Sequence, residues 1–296
     1  MPLPKDRSHI ETEFQNEHTM ELDILETTSL VALLAKDHQQ AIRAVEVVAN
    51  EIADFIDSLA EQVRKGGRLI YLGCGTSGRL GVLDAAECPP TFQTDSNLVI
   101  GLIAGGDRSL KVSSEGEEDK PDGAKFALTE LNLTKHDTVL GIAAGGTTPW
   151  VVGGIQIAKE MGANTAFLTC CSETPTCDHL ITLNTGPEPL TGSTRMKAAT
   201  ATKLTLNIIT TALFTRLGKV HGNLMVDLRA SNTKLLDRAI RILCQACNLD
   251  RKEAHALLEQ ANGAVKVAIV MHRKQVNPKT AEQQLDAVGG NLRSAL

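Results

Sequence analysis

The sequence predicts an α/β protein: a doubly wound, parallel five-stranded sheet with N-terminal helices and a small C-terminal helical subdomain. Three observations predict it. Five short runs rich in Val, Ile and Leu occur at RLIYLGCG (68–75), NLVIGLIAGG (97–106), DTVLGIAAGG (137–146), NTAFLTCC (164–171) and HLITLNTG (179–186). They are continuously apolar rather than alternating, the pattern of strands buried on both faces. The connections between them are helical patterns or loops, as in parallel sheets with helix-length crossovers.

Taken in order, residues 20–65 read as two helices, the second periodic through AIRAVEVVANEIADFIDSLAEQV and ending at Gly66-Gly67. The first strand then runs into a glycine-rich turn and a helix start. Further strands and helices follow to LTLNIITTALF (204–214), an apolar stretch too short to span a bilayer and therefore a buried helix. The predicted division is an N-terminal helical arm (1–44), the α/β domain (45–220), a linking helix (221–248) and a helical C-terminal subdomain (249–296). Its C-terminal patterns are EAHALLEQA, AVKVAIVMHRK and TAEQQLDAV.

Composition narrows the function classes. The chain has 296 residues, 42% hydrophobic and 22% charged, with a formal net charge of −5. Nothing in that balance marks a nucleic-acid or anionic-membrane partner, and 3% aromatic residues argue against base-stacking platforms. The N-terminus MPLPKDRSHIETEF has no apolar h-region, so a cytoplasmic protein is expected. Seven scattered cysteines are consistent with free thiols in a reducing compartment. Cys244 and Cys247 form a C-x-x-C without a second ligand pair and read as small helix residues rather than a metal or redox site.

In open parallel sheets, ligands bind beyond the carboxyl ends of the strands, here the loops at 73–79, 105–107, 145–149 and 186–195. Gly73, Gly75 and Gly78 have the spacing of a dinucleotide-binding loop. The acid that would bind a ribose after the second strand is missing, however, because Asp107 comes too late. Thr76 and Ser77 instead put hydroxyls at the start of the following helix, where Gly75, Gly78 and Arg79 complete a cradle. Helix-start N–H groups and hydroxyls suit a terminal phosphate. Hydroxyls recur at Thr147 and Thr148, and at Ser193 and Thr194 beside Arg195. Ser and Thr are also ordinary helix caps, but three such loops favour a monophosphate pocket. The expected ligand is a sugar phosphate, with no cofactor and no metal.

RLIYLGCGTSGRLGVLDAAECPPTF resembles the signature region of the N-acetylmuramic acid 6-phosphate etherases, which belong to the sugar isomerase (SIS) domain proteins. Further matching stretches are the N-terminal pattern of Thr12, Glu13, Asn16, Thr19, Leu22 and Asp23, then VIGLIAGG, EGEED, TGSTRMKAATATKLTLN, GNLMVDLRASNTKL and GGNLRSAL. The similarity covers nearly the whole chain. The pattern is also similar to the animal glucokinase regulatory proteins, which bind sugar phosphates without turnover. A non-catalytic regulator and an aldose–ketose isomerase on the same domain therefore stay open as alternatives.

The resemblance implies cleavage of the D-lactyl ether of N-acetylmuramic acid 6-phosphate to N-acetylglucosamine 6-phosphate and D-lactate, in peptidoglycan recycling and amino sugar catabolism. It places the two active-site carboxylates at Glu87 and Glu118. Taken alone, Glu87 before Cys88-Pro89-Pro90 closes a helix equally well, and Glu118 cannot be told from Glu115, Glu117 and Asp119 in a charged run. Glu188, which follows a strand end, is a candidate sugar contact. One departure stands out. Where the family pattern is A-A-S-G-R-T-P, this chain has Ala143-Ala144-Gly145-Gly146-Thr147-Thr148-Pro149, without the serine and the arginine.

Distance carries the last expectation. Glu87 follows Ser77 by ten positions, about 15 Å along a helix at about 1.5 Å per residue. A hexose phosphate bound at Ser77 would not reach Glu87 of the same chain unless the helix breaks near Gly81. A homodimer with shared active sites, Glu87 acting across a two-fold interface, is therefore expected.

Overall fold

The computed structural model describes residues 6–228 and 232–296. The chain forms two compact units, one of Met1–Ala86 and Asn97–Ile209, the other of Glu87–Ser96 and Thr210–Leu296.

The first unit opens with short 3-10 turns at Glu11–Glu13, Glu17–Thr19 and Leu22–Ile24. Three helices follow: α1 (Thr27–Asp37), α2 (Gln39–Val47) and α3 (Ala49–Arg64). The two helices expected over 20–65 are thus three. The long periodic stretch breaks at Val48, whose φ of −103° and ψ of 26° leave the helical region. Ala41, Ala44 and Val45 before the break, and Ile52, Phe55, Ile56 and Leu59 after it, are all buried. The apolar pattern continues across the interruption, so periodicity alone does not mark it.

The five expected strands form one parallel sheet: β1 (Leu69–Gly73), β2 (Val99–Ile103), β3 (Thr138–Ile142), β4 (Asn164–Thr169) and β5 (His179–Thr182), in the order β2-β1-β3-β4-β5. The crossovers carry helices α4 (Gly75–Phe92), α5 (Lys125–Glu130) and α6 (Pro149–Glu160), and α7 (Lys197–Arg216) follows β5. Every residue of β1 and β3 is buried. Leu72, Val139, Phe167, Val151 and Ile155 form part of a common core between sheet and helices, which is what continuous apolar strands require.

The amino ends of the strands are held by one ion pair. Arg68, just before β1, donates from Nε to Asp137 Oδ1 (2.9 Å) and from Nη2 to Asp137 Oδ2 (2.8 Å). The Asp137 carboxylate also accepts the backbone N–H groups of Arg68 and Thr134. Burial alone would raise the Asp137 carboxyl, but these donors hold it below the usual carboxylate range.

α4 continues to Phe92 with Pro89 and Pro90 inside it, so Glu87 does not close a helix, and there is no break at Gly81. In the second unit, α8 (Thr233–Cys247), α9 (Arg251–Gln260), α10 (Val265–Lys274), α11 (Pro278–Asp286) and α12 (Leu292–Ala295) pack around Leu243, Ala268, Ile269 and Val270. The helix expected over 221–248 is shorter than predicted. It starts at Thr233, where the Asn232 side chain caps it by accepting the Leu235 N–H at 2.9 Å. Gly222, at φ +61°, and a short bridge between His221 and Leu224 keep the preceding stretch out of the helix; residues 229–231 lie outside the described residues. Cys247 is buried and Cys244 half-buried on α8, the packing role expected for them. Among the described residues, no helix is long and apolar enough to cross a membrane.

Candidate active site

Strand order reverses between β1 and β3: the chain leaves β1 toward β2 on one side and continues through β3, β4 and β5 on the other. Gly73 pairs with Ile142, so the loops that follow these two strands lie side by side. A crevice at the carboxyl ends of such a switch point is the usual binding place in an open α/β sheet.

The β1 loop reaches this place through close backbone packing. A Cβ on Gly78 would lie 2.5 Å from the Gly73 carbonyl oxygen and 2.6 Å from Ile103 Cγ1. Only glycine lets α4 start this tightly against the sheet. Gly75, at φ +50°, turns the chain into the helix, and Thr76 and Ser77 are half-buried in its first turn. Arg79 is partly committed elsewhere, because its Nε donates to the Leu110 carbonyl at 3.1 Å.

Glu118 comes to the same point from a distant part of the sequence. Its Oε1 lies 3.2 Å from where a Cβ on Gly75 would be. Its own carbonyl accepts the Trp150 N–H at 2.9 Å, which ties its loop to the first turn of α6. The Cys74 thiol is pushed far up, first by burial and then by the Glu118 charge. A thiol held protonated in this way is no thiolate nucleophile. A half-buried carboxylate beside a helix start can exchange a proton with a polar group held next to it.

The remaining loops take different roles. Thr148 occupies the N-cap of α6, yet its hydroxyl makes no capping bond, and Pro149 takes the first helical position. Thr147 is half-buried beside it. Ser193 and Thr194 are half-buried ahead of α7, whereas Arg195 is exposed. Glu188, the candidate sugar contact, bonds to the backbone at the start of α7. It is fully buried, and its two oxygens accept the N–H groups of Lys197 and Ala198, each at 2.9 Å. It therefore anchors the start of α7, where a carboxylate is favoured by the helix end. Burial raises its pKa despite those two donors.

Glu87 is exposed on α4. Ser77 and Glu87 belong to the same helix, ten positions apart, with no break at Gly81. Among the described residues, no group of three or more His, Cys, Asp or Glu side chains is arranged to hold a metal ion.

Residues 51–159 match the N-terminal SIS domain of glucokinase regulatory protein, and residues 222–265 match that protein's C-terminal lid domain. An N-acetylmuramic acid 6-phosphate etherase of Synechococcus sp. (strain CC9605) is 48% identical over 98% of this chain and 93% of its own. One from Synechocystis sp. (strain ATCC 27184 / PCC 6803 / Kazusa) is 46% identical over 100% of this chain and 98% of its own. The chain belongs to the N-acetylmuramic acid 6-phosphate etherase family. A solved structure from Bacteroides fragilis NCTC 9343, provisionally assigned as a phosphosugar isomerase of capsule formation, superposes with a TM-score of 0.50 at 20% identity. That match covers 64% of this chain and 90% of the other, and shows the shared fold.

Within this family member, two groups of residues go beyond what sequence reasoning found. Asp84, buried in α4, accepts the Tyr71 hydroxyl at 2.9 Å and Asn207 Nδ2 at 2.7 Å, which joins β1, α4 and α7. The DAAECPP motif contains Asp84, but no local spacing names its partners. The other group is the N-terminal segment around Thr12, which also bonds to residues far along the chain, at Ser172, Pro187 and Pro189. A cavity of about 810 Å³ opens beside the end of β5, between Asn16, Lys36, Arg43 and Gly186. It lies away from the switch point. Lys197 at its edge is paired with Asp37, at 3.1 Å to Oδ2.

Proposed function

We propose that this protein is an N-acetylmuramic acid 6-phosphate etherase that releases D-lactate and N-acetylglucosamine 6-phosphate. Near-full-length similarity to etherases at 46–48% identity carries this reading. It favours turnover over the regulator and isomerase alternatives. The position of Glu118 over Gly75 at the switch point agrees with it.

The chemistry needs little beyond positioned carboxylates. In the open-chain aldehyde form of the sugar, the C2 proton is α to a carbonyl and is acidic enough to remove. A base takes that proton, the C–H electron pair becomes the C2=C3 double bond, and the C3–O bond breaks. An acid protonates the departing lactate oxygen. Water then adds at C3 while C2 regains a proton, which yields the N-acetylglucosamine product. Glu118 serves as the base and Glu87 as the proton donor, or the two exchange roles. Paired carboxylates run such steps on many scaffolds. Gly75, Thr76, Ser77, Gly78 and Arg79 form the phosphate cradle, with Thr147, Thr148, Ser193, Thr194 and Arg195 around it.

The same reading makes the protein a cytoplasmic homodimer with shared sites. Glu87 is exposed, and α1 carries Leu30, Val31, Leu33 and Leu34 with no residue buried. Apolar surface left uncovered in this way is typical of an interface. The cytoplasmic placement rests on seven free cysteines, several of them buried.

The test is lactate release from N-acetylmuramic acid 6-phosphate by the purified protein. Glu118→Gln and Glu87→Gln should each lower kcat by about 100-fold or more while binding of N-acetylglucosamine 6-phosphate persists. A protein that is stabilised by sugar 6-phosphates yet releases no lactate at high enzyme concentration is a regulator instead. The Gly145 and Thr147 departure is the feature that favours that outcome.

A further inference from the structure

The segment from Ile10 to Thr19 lies across the carboxyl edge of the sheet and is anchored to several strand-end loops. Glu11 accepts the hydroxyl of Ser172 after β4, and its Oε2 accepts the Ser172 N–H at 3.4 Å. Glu13 Oε2 lies 3.0 Å from where a Cβ on Gly192 would be, in the loop before α7. Asn16 Nδ2 donates to the Pro187 carbonyl at 3.2 Å, and the Thr19 hydroxyl donates to that of Pro189 at 2.9 Å.

Thr12 stands between the two anchored glutamates and is 0% exposed. Its Oγ1 has no hydrogen-bond partner among the described residues. It faces Gly145 after β3: a Cβ built on that glycine would lie 3.9 Å from Thr12 Oγ1 and would meet no other atom within 4 Å. Buried hydroxyls nearly always find a partner, since leaving one unpaired costs its full desolvation. The anchors therefore hold a hydroxyl where, in the protein alone, it is unfavourable. That place is the carboxyl end of β3, whose Ile142 pairs with Gly73 at the end of β1.

We propose that Thr12 is a substrate-contact residue, whose hydroxyl bonds an oxygen of the sugar phosphate on the Gly145 side of the crevice between β1 and β3. The proposal rests on the etherase reading and deepens it. The segment from Ile10 to Thr19 is then a wall of the site, and Glu11 and Glu13 are positioning residues that set the height of Thr12 above the loop. Glycine at 145 leaves room for the ligand oxygen where a larger residue would meet Thr12 directly.

Binding of N-acetylglucosamine 6-phosphate by calorimetry, together with steady-state lactate release, tests this in wild type and three variants. Thr12→Val is isosteric and removes only the hydroxyl. It should weaken binding about tenfold, with the loss in kcat/KM appearing mainly in KM. Its unliganded melting temperature should stay level or rise, because an unpaired buried hydroxyl has gone. A residue that only fills space would move neither affinity nor KM. Thr12→Ala must weaken binding to the same degree, which keeps the test valid if the valine variant folds poorly. Thr12→Ser must retain wild-type affinity. Equal dissociation constants for wild type, Thr12→Val and Thr12→Ala overturn the assignment while wild-type lactate release leaves the etherase reading intact. A wild-type protein that neither binds the sugar phosphate nor releases lactate removes that reading and this proposal with it.

Discussion

Two buried carboxylates show how differently a single residue can serve this protein. Asp137 sits at the amino ends of the strands, far along the sheet from the crevice, with a bidentate bond to Arg68 and a side chain 1% exposed. Asp137→Asn removes the charge and leaves the guanidinium facing an amide. Breaking one partner of a buried pair costs about 3 kcal/mol or more, so the melting temperature should fall clearly. Residual kcat at a permissive temperature should be close to wild type, because the pair is remote from the strand-end loops. The folded-state pKa of Asp137 is lowered, so its stabilisation is present above the ordinary Asp range and is lost as pH falls through the depressed value. Urea unfolding of wild type and variant from pH 7 downward checks this: the gap between them should narrow only in acid. Glu188 shows what sequence could not supply. It stands after a strand end, as a ligand residue would, but its partners are backbone N–H groups nine and ten residues later. Nothing in the residue types around it distinguishes a helix anchor from a sugar contact.

At the scale of elements, the parts most legible in the sequence are those set by short-range pattern. The strands announced themselves as continuous apolar runs, and the turn after β1 by its glycine spacing. The break between α2 and α3 stayed hidden because the apolar face carries on through Val48. The wall formed by the Ile10–Thr19 segment stayed hidden for a different reason. Thr12 is buried facing Gly145, and Asn16 and Thr19 donate to the carbonyls of Pro187 and Pro189. Such placement depends on chain closure over more than a hundred residues. The glycine spacing also carries a test. Gly78→Ala would drive a methyl into the Gly73 carbonyl and Ile103, with no flexible side chain to yield on the backbone side. It should cost about 1–3 kcal/mol or more and displace Thr76 and Ser77, which would raise KM. Gly116→Ala, where a Cβ meets nothing within 4 Å, is the stability control. Equal melting temperatures for the two variants would mean that the close approach of α4 to β1 has little energetic weight.

On the scale of the whole molecule, the two glutamates pose the remaining problem. Glu118 lies beside Gly75 at the switch point, while Glu87 is exposed and follows Ser77 by ten positions on α4. An elimination needs acid and base within hydrogen-bond reach of adjacent carbons of one sugar. The sequence contained the distance, but it could not say whether α4 would break at Gly81 and fold Glu87 back; the helix runs on to Phe92. A second subunit that brings its own Glu87 to the crevice satisfies the chemistry, and two-fold pairing makes the exchange reciprocal. Subunit mixing tests the arrangement. Glu87→Gln protein and a Thr76→Val/Ser77→Ala double mutant should each be nearly inactive alone. In a hybrid dimer, one of the two sites combines the intact cradle of the first chain with the intact Glu87 of the second. Random pairing of equal amounts makes half of the dimers hybrid, so lactate release should recover to about a quarter of the wild-type rate. Co-purification through two different affinity tags establishes that hybrids form. If tagged hybrids are isolated and remain as inactive as their parents, each subunit works with its own Glu87 and the shared site is wrong.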